Sequence, residues 1–177
     1  GHSARDTFHL LDDKNLLMES KPFAVGVRVM HYQKMIDKEQ YQNKIKKAPY
    51  KLTYQTKNHR GVYSFCMCPG GYVINSASEN NSLVVNGMSN YLRDSNTANS
   101  AIVVTVSKKD YGEGLFAGVK YQQELEKKAY LKGNGKIPVE YYQDFLNKKI
   151  TKKETDFAIL GAYTFTDLND ILPVTIS

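Results

Sequence analysis

The period of the apolar residues changes partway along the chain, and that change sets the fold class. Over 23–31 the residues alternate, with Phe23, Val25, Val27, Val29 and His31 on one face and Ala24, Gly26, Arg28 and Met30 on the other. This is the two-residue period of a strand. Segments 50–55, 60–68, 72–77, 83–86 and 101–107 read the same way. Beyond residue 114 the period lengthens: Leu115, Gly118, Gln122, Leu125 and Ala129 recur at helical spacing, which predicts an amphipathic helix ending near Gly133. Shorter helical segments are expected over 36–45, 139–148 and 166–171. Strands first and helices afterwards predict an α+β fold rather than a βαβ repeat. The expected architecture is a mostly antiparallel sheet of about six strands in the first two thirds, with helices packed on it, mainly C-terminal.

A chain of 177 residues, 41% of them hydrophobic, is long enough to fill one core. No apolar run approaches the roughly 20 residues needed to span a bilayer, and the start lacks a signal-peptide pattern, so the expectation is a cytoplasmic protein without a membrane partner. The formal charge of +6 comes mainly from lysines over 44–57 and 120–153, interleaved with acids. A solvated basic surface and attraction to an acidic partner such as RNA both fit that pattern, although no nucleic-acid signature appears.

The most informative segment is Ser64-Phe65-Cys66-Met67-Cys68-Pro69-Gly70-Gly71. Alternation puts Tyr63, Phe65 and Met67 on a bulky face, expected to be core, and Ser64, Cys66 and Cys68 on the other. Pro69 removes a ladder donor and the paired glycines permit positive φ, so the strand must break there, where backbone can approach a ligand. Cysteines one residue apart on an extended segment are badly placed to bridge each other. Two thiols with scattered histidines make a weak metal site, and no metal is expected. Packing under a loop and lining a ligand cavity both remain open for the pair. The stretch 86–99, with Asn86-Gly87-Met88-Ser89, Arg93 and Asn99, reads as a long loop, plain or ligand-contacting. Arg28 lies on the small face of its strand, either exposed at an edge or free to lie over a ligand. At the start, Ser3 and Asp6 form a capping-box pattern, and His2 at the helix entrance could help hold an anion.

The chain contains no G-x-G-x-x-G, Walker loop, G-x-S-x-G or H-E-x-x-H, and no complete catalytic constellation. Its motifs do resemble a family. The run GHSARDT (residues 1–7), the KPFAVGVR strand (21–28), SFCMCPGG (64–71), NGMS (86–89), ANSA (98–101) and GLFAG (114–118) are similar to those of the largely uncharacterised bacterial FAD-dependent dehydrogenases. The resemblance implies a two-part flavin-binding fold in the parent protein with a separate domain inserted between its parts. Residues 1–22 would leave the flavin fold and 23–177 would form the insert, a fragment truncated at both ends and inactive alone. The flavin-binding domain of the same chain would be its partner, with a small molecule as substrate. The implied FAD contacts are Gly1, His2, Ser3, Ala4, Arg5, Cys66, Cys68, Pro69, Gly70 and Gly71. The implied substrate contacts are Arg28, Asn86, Met88, Ser89, Arg93 and Asn99. Met30 and Tyr32 flank His31 where the family pattern has an acid and a proline, so no acid or base role carries over there. The rival reading is a stand-alone binding module for an acidic partner such as RNA.

Overall fold

A computed structural model describes residues 3–153, 156 and 158–176. In chain order its elements are α1 (Arg5–Asp13), β1 (Phe23–Tyr32), α2 (Gln33–Tyr41), β2 (Thr53–Gln55), β3 (Gly61–Cys68), β4 (Gly71–Asn75), β5 (Val85–Ser89) and β6 (Thr97–Val106). The helical part follows as α3 (Lys108–Tyr111), α4 (Ala117–Lys132), β7 (Ile137–Val139), α5 (Tyr142–Asn147), β8 (Ile159–Leu160), β9 (Tyr163–Phe165) and a 3-10 turn at Leu168–Asp170. The fold is α+β, and six strands precede the main helix as the change of period predicts.

Those six strands are divided between two sheets. Four make an antiparallel sheet in the order β1-β6-β3-β2, while β4 pairs antiparallel with β5 and parallel with β8. The chain changes sheet at Pro69-Gly70. Proline has no N–H to continue the ladder, and Gly70 at φ +53 turns the chain out of the first sheet. A third, two-stranded parallel sheet joins β7 to β9.

Several local expectations change. Residues 85–89 are strand β5 and residues 97–100 open strand β6, so most of the expected long loop is sheet and the connection shrinks to 90–96. The bulky face of β3 is not core: Phe65 is 62% exposed, whereas Ser64 is buried, its hydroxyl accepting the N–H of Leu52 at 2.7 Å. Alternation locates the two faces of a strand but not which one is covered. The capping box at the start does not form; α1 opens at Ala4 without a side-chain cap, and Asp6 takes the N–H of Thr7 instead. Residue 139 belongs to β7 rather than to α5, and the expected last helix is the 3-10 turn, capped by Asp167 instead of Thr166.

The main apolar core lies between α4 and the second sheet, where Leu83, Ala129, Ile137 and Ile171 pack with Val85, Tyr130, Val139, Ile159, Tyr163 and Leu168. Phe23, Tyr111 and Tyr121 cluster at the start of β1 and fasten α3 and α4 to the first sheet. The buried guanidinium of Arg5 bonds Glu126 through both terminal nitrogens and Glu79 through one, tying α1 to α4 and to the β4–β5 connection.

A second buried polar knot fixes α2. Asp37 Oδ1 accepts from Gln33 Nε2 at 2.7 Å and from the N–H of Ala48 at 2.8 Å. Burial alone pushes the Asp37 carboxyl up, but the N–H groups of Ala48 and Lys47, the Gln33 amide and the Lys47 charge outweigh it and hold the group below its ordinary range. A depressed folded value means that this stabilisation is complete above the unfolded value of about 3.9 and is lost as pH falls through the folded one. Asp37→Asn is therefore expected to cost about 1–3 kcal/mol at neutral pH. Urea unfolding at several pH values checks this, since the gap between variant and parent should narrow as pH falls below the unfolded value of about 3.9.

The accessible surface is 11672 Å² for a mass of 20.1 kDa. A monomeric globular protein of that mass exposes about 8,700 Å². The exposed side chains include large apolar ones, among them Leu52, Tyr54, Phe65, Met88, Tyr91 and Leu92. No helix among the described residues is long and apolar enough to cross a membrane.

Candidate functional site

Arg28 leaves the small face of β1 and reaches the seam between the two sheets. Its Nη1 donates to Asn99 Oδ1 at 2.6 Å and to the carbonyl of Cys66 at 3.1 Å; its Nη2 donates to Asn86 Oδ1 at 3.3 Å. Three strands, β6, β3 and β5, thus supply one acceptor each. All three acceptors are neutral. Among the described residues no carboxylate pairs with Arg28, and the guanidinium also interacts with the Cys68 thiol. A half-buried cation without a counter-ion is disposed to receive an anionic or electron-rich group.

The seat is built from buried parts. Asn99 is fully buried and bridges the sheets, donating from Nδ2 to the carbonyl of Tyr72 while its Oδ1 holds Arg28. Gly87 of β5 lies directly over this contact. A Cβ there would stand 2.3 Å from both Arg28 Nη1 and Asn99 Oδ1, and 2.8 Å from Cys68 Sγ. A glycine in a strand is the signature of such close approach.

Cys66 and Cys68 flank the seat. Cys66 is exposed and has φ +49, a left-handed conformation rare for a residue with a Cβ, and the pairing of β3 with β6 breaks between Phe65 and Cys68. The segment is therefore not extended, contrary to the sequence reading. The Cys68 thiol points back to the Cys66 carbonyl at 3.3 Å. Burial, and next the neighbouring Cys66, push the Cys68 thiol up, while Arg28 pulls it down.

The Pro69-Gly70-Gly71 turn is closed by the chain itself. Gln33 Oε1 accepts the Gly70 N–H at 2.7 Å, the N–H of Ser95 donates to the Gly70 carbonyl, Thr97 Oγ1 donates to that of Gly71, and Ser89 Oγ donates to that of Pro69. Pro69, Gly70 and Gly71 are buried. The space beside the two glycines is occupied by the carbonyls of Arg93 and Met88, at 1.9 and 2.6 Å from where a Cβ would be. The backbone approach that these glycines permit is to other backbone.

The structure brings Arg28, Cys66, Cys68, Asn86 and Asn99 together, with Gly70, Gly71 and Ser89 as the frame behind them. Met88 is 43% exposed on β5, and Arg93, also exposed, lends its carbonyl to the turn. Ala4 and Arg5 stand elsewhere, at the start of α1, where the Arg5 charge is answered by Glu79 and Glu126. Ser3 adjoins them, and Gly1 and His2 lie outside the described residues. Among the described residues no three His, Cys, Asp or Glu side chains converge as a metal site would need. His31 projects from the opposite face of β1 and bonds the hydroxyl of Tyr50 at 2.9 Å; burial pushes the histidine down and the tyrosine up. Sequence reasoning missed Gln33, Gly87, Ser95 and Thr97. Only Gly87 carried a signal, as a glycine inside a strand.

A family model described as "FAD-dependent protein, C-terminal domain-like" matches residues 22–177. A protein of Clostridium beijerinckii described as "Uncharacterized protein" is 45% identical over 184 residues, covering 98% of this chain and 34% of the relative. The chain thus spans about a third of the length of that relative. Because the family model covers nearly all of it, from β1 to the last residue, this chain belongs to the FAD-dependent protein, C-terminal domain-like family.

Proposed function

We propose that the chain is the substrate-side insert of an FAD-dependent oxidoreductase, in which the rest of the polypeptide holds the flavin and the Arg28 cluster faces it. The observation that carries this reading is the half-buried guanidinium seated by three neutral acceptors, with no carboxylate partner among the described residues. Such a group binds the carboxylate, or another anionic part, of a small substrate. The family match, the share of the relative that the chain spans and the exposed large apolar side chains all support a domain completed by a further part of its own polypeptide. In this reading residues 1–22 lead out of the flavin-binding part and 23–177 form the insert.

The residues fit one end of FAD. Arg28 and the exposed side chains of Asn86 and Met88 offer donors and polarisable surface suited to the edge and face of an isoalloxazine ring. The sequence has no glycine-rich phosphate loop for the other end. FAD supplies the two-electron chemistry when bound. The chain orients the substrate through Arg28, fixes that arginine through Asn99 and Asn86, and shields the reacting centre from water. Among the described residues no carboxylate pairs with Arg28, whose titratable neighbour is the Cys68 thiol.

The test compares the full-length protein with this chain. The full-length protein is expected to purify with flavin absorbance or to take up added FAD, and the chain alone to do neither. A folded full-length protein that remains colourless after addition of FAD would refute the proposal.

A further inference from the structure

We propose that Cys66 and Cys68 form a reversible dithiol–disulfide pair, with exposed Cys66 as the attacking thiol and buried Cys68 as the resolving one, exchanging with small-molecule disulfides of the glutathione type. The inference does not depend on flavin binding.

On a regular strand, residues two apart are separated by about 6.7 Å, whereas bridged cysteines need Cβ atoms about 3.5–4.5 Å apart. The structure removes that obstacle. Cys66 takes a left-handed backbone conformation where the β3–β6 ladder breaks, and the Cys68 side chain folds back until its sulfur lies 3.3 Å from the Cys66 carbonyl oxygen. The Cys66 thiol reaches Asn86 Oδ1 at 3.9 Å and its presence pushes the Cys68 thiol up, which places the two side chains beside each other. The carbonyl that marks the bend is held by Arg28 Nη1 at 3.1 Å, so the strained conformation is fixed from outside the strand. Gly87 leaves the Cys68 sulfur room that any larger residue would fill.

The exposures assign the roles. Cys66 meets solvent, while Cys68 is 8% exposed. The Cys66 thiolate attacks one sulfur of the external disulfide, forming a mixed disulfide and expelling one thiolate. The Cys68 sulfur, having released its proton to solvent, then attacks Cys66 Sγ, closes the Cys66–Cys68 bond and expels the second thiolate. Two protein thiols are oxidised with loss of two electrons and two protons, and one external disulfide is reduced to two thiols. The mixed disulfide also cancels the negative charge that opposes ionisation of Cys68, while the nearby Arg28 guanidinium still favours it. Exchange thus prepares its own second step.

The experiment treats the natively folded full-length protein with oxidised glutathione, quenches with an alkylating reagent and measures the mass of the peptide carrying both cysteines. The expected product is two hydrogens lighter than the dithiol, unlabelled by alkylation and returned to dithiol by reduced glutathione. Cys68→Ser should instead stop at a stable glutathione adduct on Cys66, and Cys66→Ser should leave Cys68 unmodified while the protein is folded. Persistence of the adduct on Cys66 in the parent protein, with Cys68 still free, would overturn the resolving role. Failure of both thiols to react would overturn the pair altogether. Because the parent protein alone gives these outcomes, misfolding of either variant leaves the test intact.

Discussion

Gly70→Ala is expected to lower the unfolding free energy by about 3 kcal/mol or more, against about 1 kcal/mol for Gly112→Ala. Both glycines have positive φ, +53 and +84, so both substitutions incur the conformational penalty of a left-handed or related backbone. They differ in surroundings. A Cβ on Gly112 meets nothing within 4 Å, whereas one on Gly70 falls 1.9 Å from the carbonyl oxygen of Arg93 and 2.4 Å from its carbon. Those are backbone atoms of the segment whose Ser95 N–H holds the Gly70 carbonyl, so relief of the clash breaks the bonds that close the turn. The Gly70 N–H would also lose its seat on Gln33, leaving a buried donor and acceptor unmatched. Denaturant midpoints of the two variants measured side by side decide the matter. Equal costs would mean that the turn yields easily and is not the rigid frame of the Arg28 site.

The sequence made the class of fold legible because periodicity reports backbone type directly. Strands β1 and β3 and helix α4 emerge from it close to their true limits, whereas β6 begins at Thr97 and not at Ala101. The partition into two sheets was not legible, since alternation along a strand carries no information about its partner; only Pro69-Gly70 marks the crossing. The faces of β3 were read the wrong way round for the same reason. Phe65 looks like core by chemistry, but whether a bulky face is covered depends on elements elsewhere in the chain. The site was half legible. Arg28, Cys66, Cys68, Asn86 and Asn99 stood out by type and position, and the fold joins them across four strands of two sheets. The clamp residues Gln33, Ser95 and Thr97 were invisible because a polar side chain beside a turn ordinarily faces solvent, and nothing local says that these three are buried.

One consequence of this geometry is that the candidate site is stiff behind and open in front. Its rear wall consists of buried, mutually bonded polar groups around Asn99, Thr97 and Gln33, and its front presents a cation that no carboxylate among the described residues pairs. Stiffness at the rear lowers the ordering cost of binding at the front.

Arg28→Met should therefore weaken binding of small carboxylates to the full-length protein about a hundredfold, close to 3 kcal/mol. The change removes the charge while keeping much of the side-chain volume, but it also takes the donor from buried Asn99 Oδ1, so denaturant unfolding run beside the titration separates loss of the charge from loss of the seat. Arg28→Lys should cost about tenfold, since an ammonium keeps the charge but cannot hold three acceptors in one plane and still face a ligand. Asn99→Ala acts indirectly. It deletes the 2.6 Å contact that aims Nη1, and leaves the Tyr72 carbonyl without its side-chain donor. Its own effect should be about tenfold, and adding it to Arg28→Met should cost no further affinity, because a positioning residue has nothing left to position. Titration of the full-length protein with a panel of carboxylates, followed by calorimetry, measures the four variants and the parent on one scale. Additive losses in the double variant would show that Asn99 touches the ligand itself, and unchanged affinity in Arg28→Met would place the anion site elsewhere.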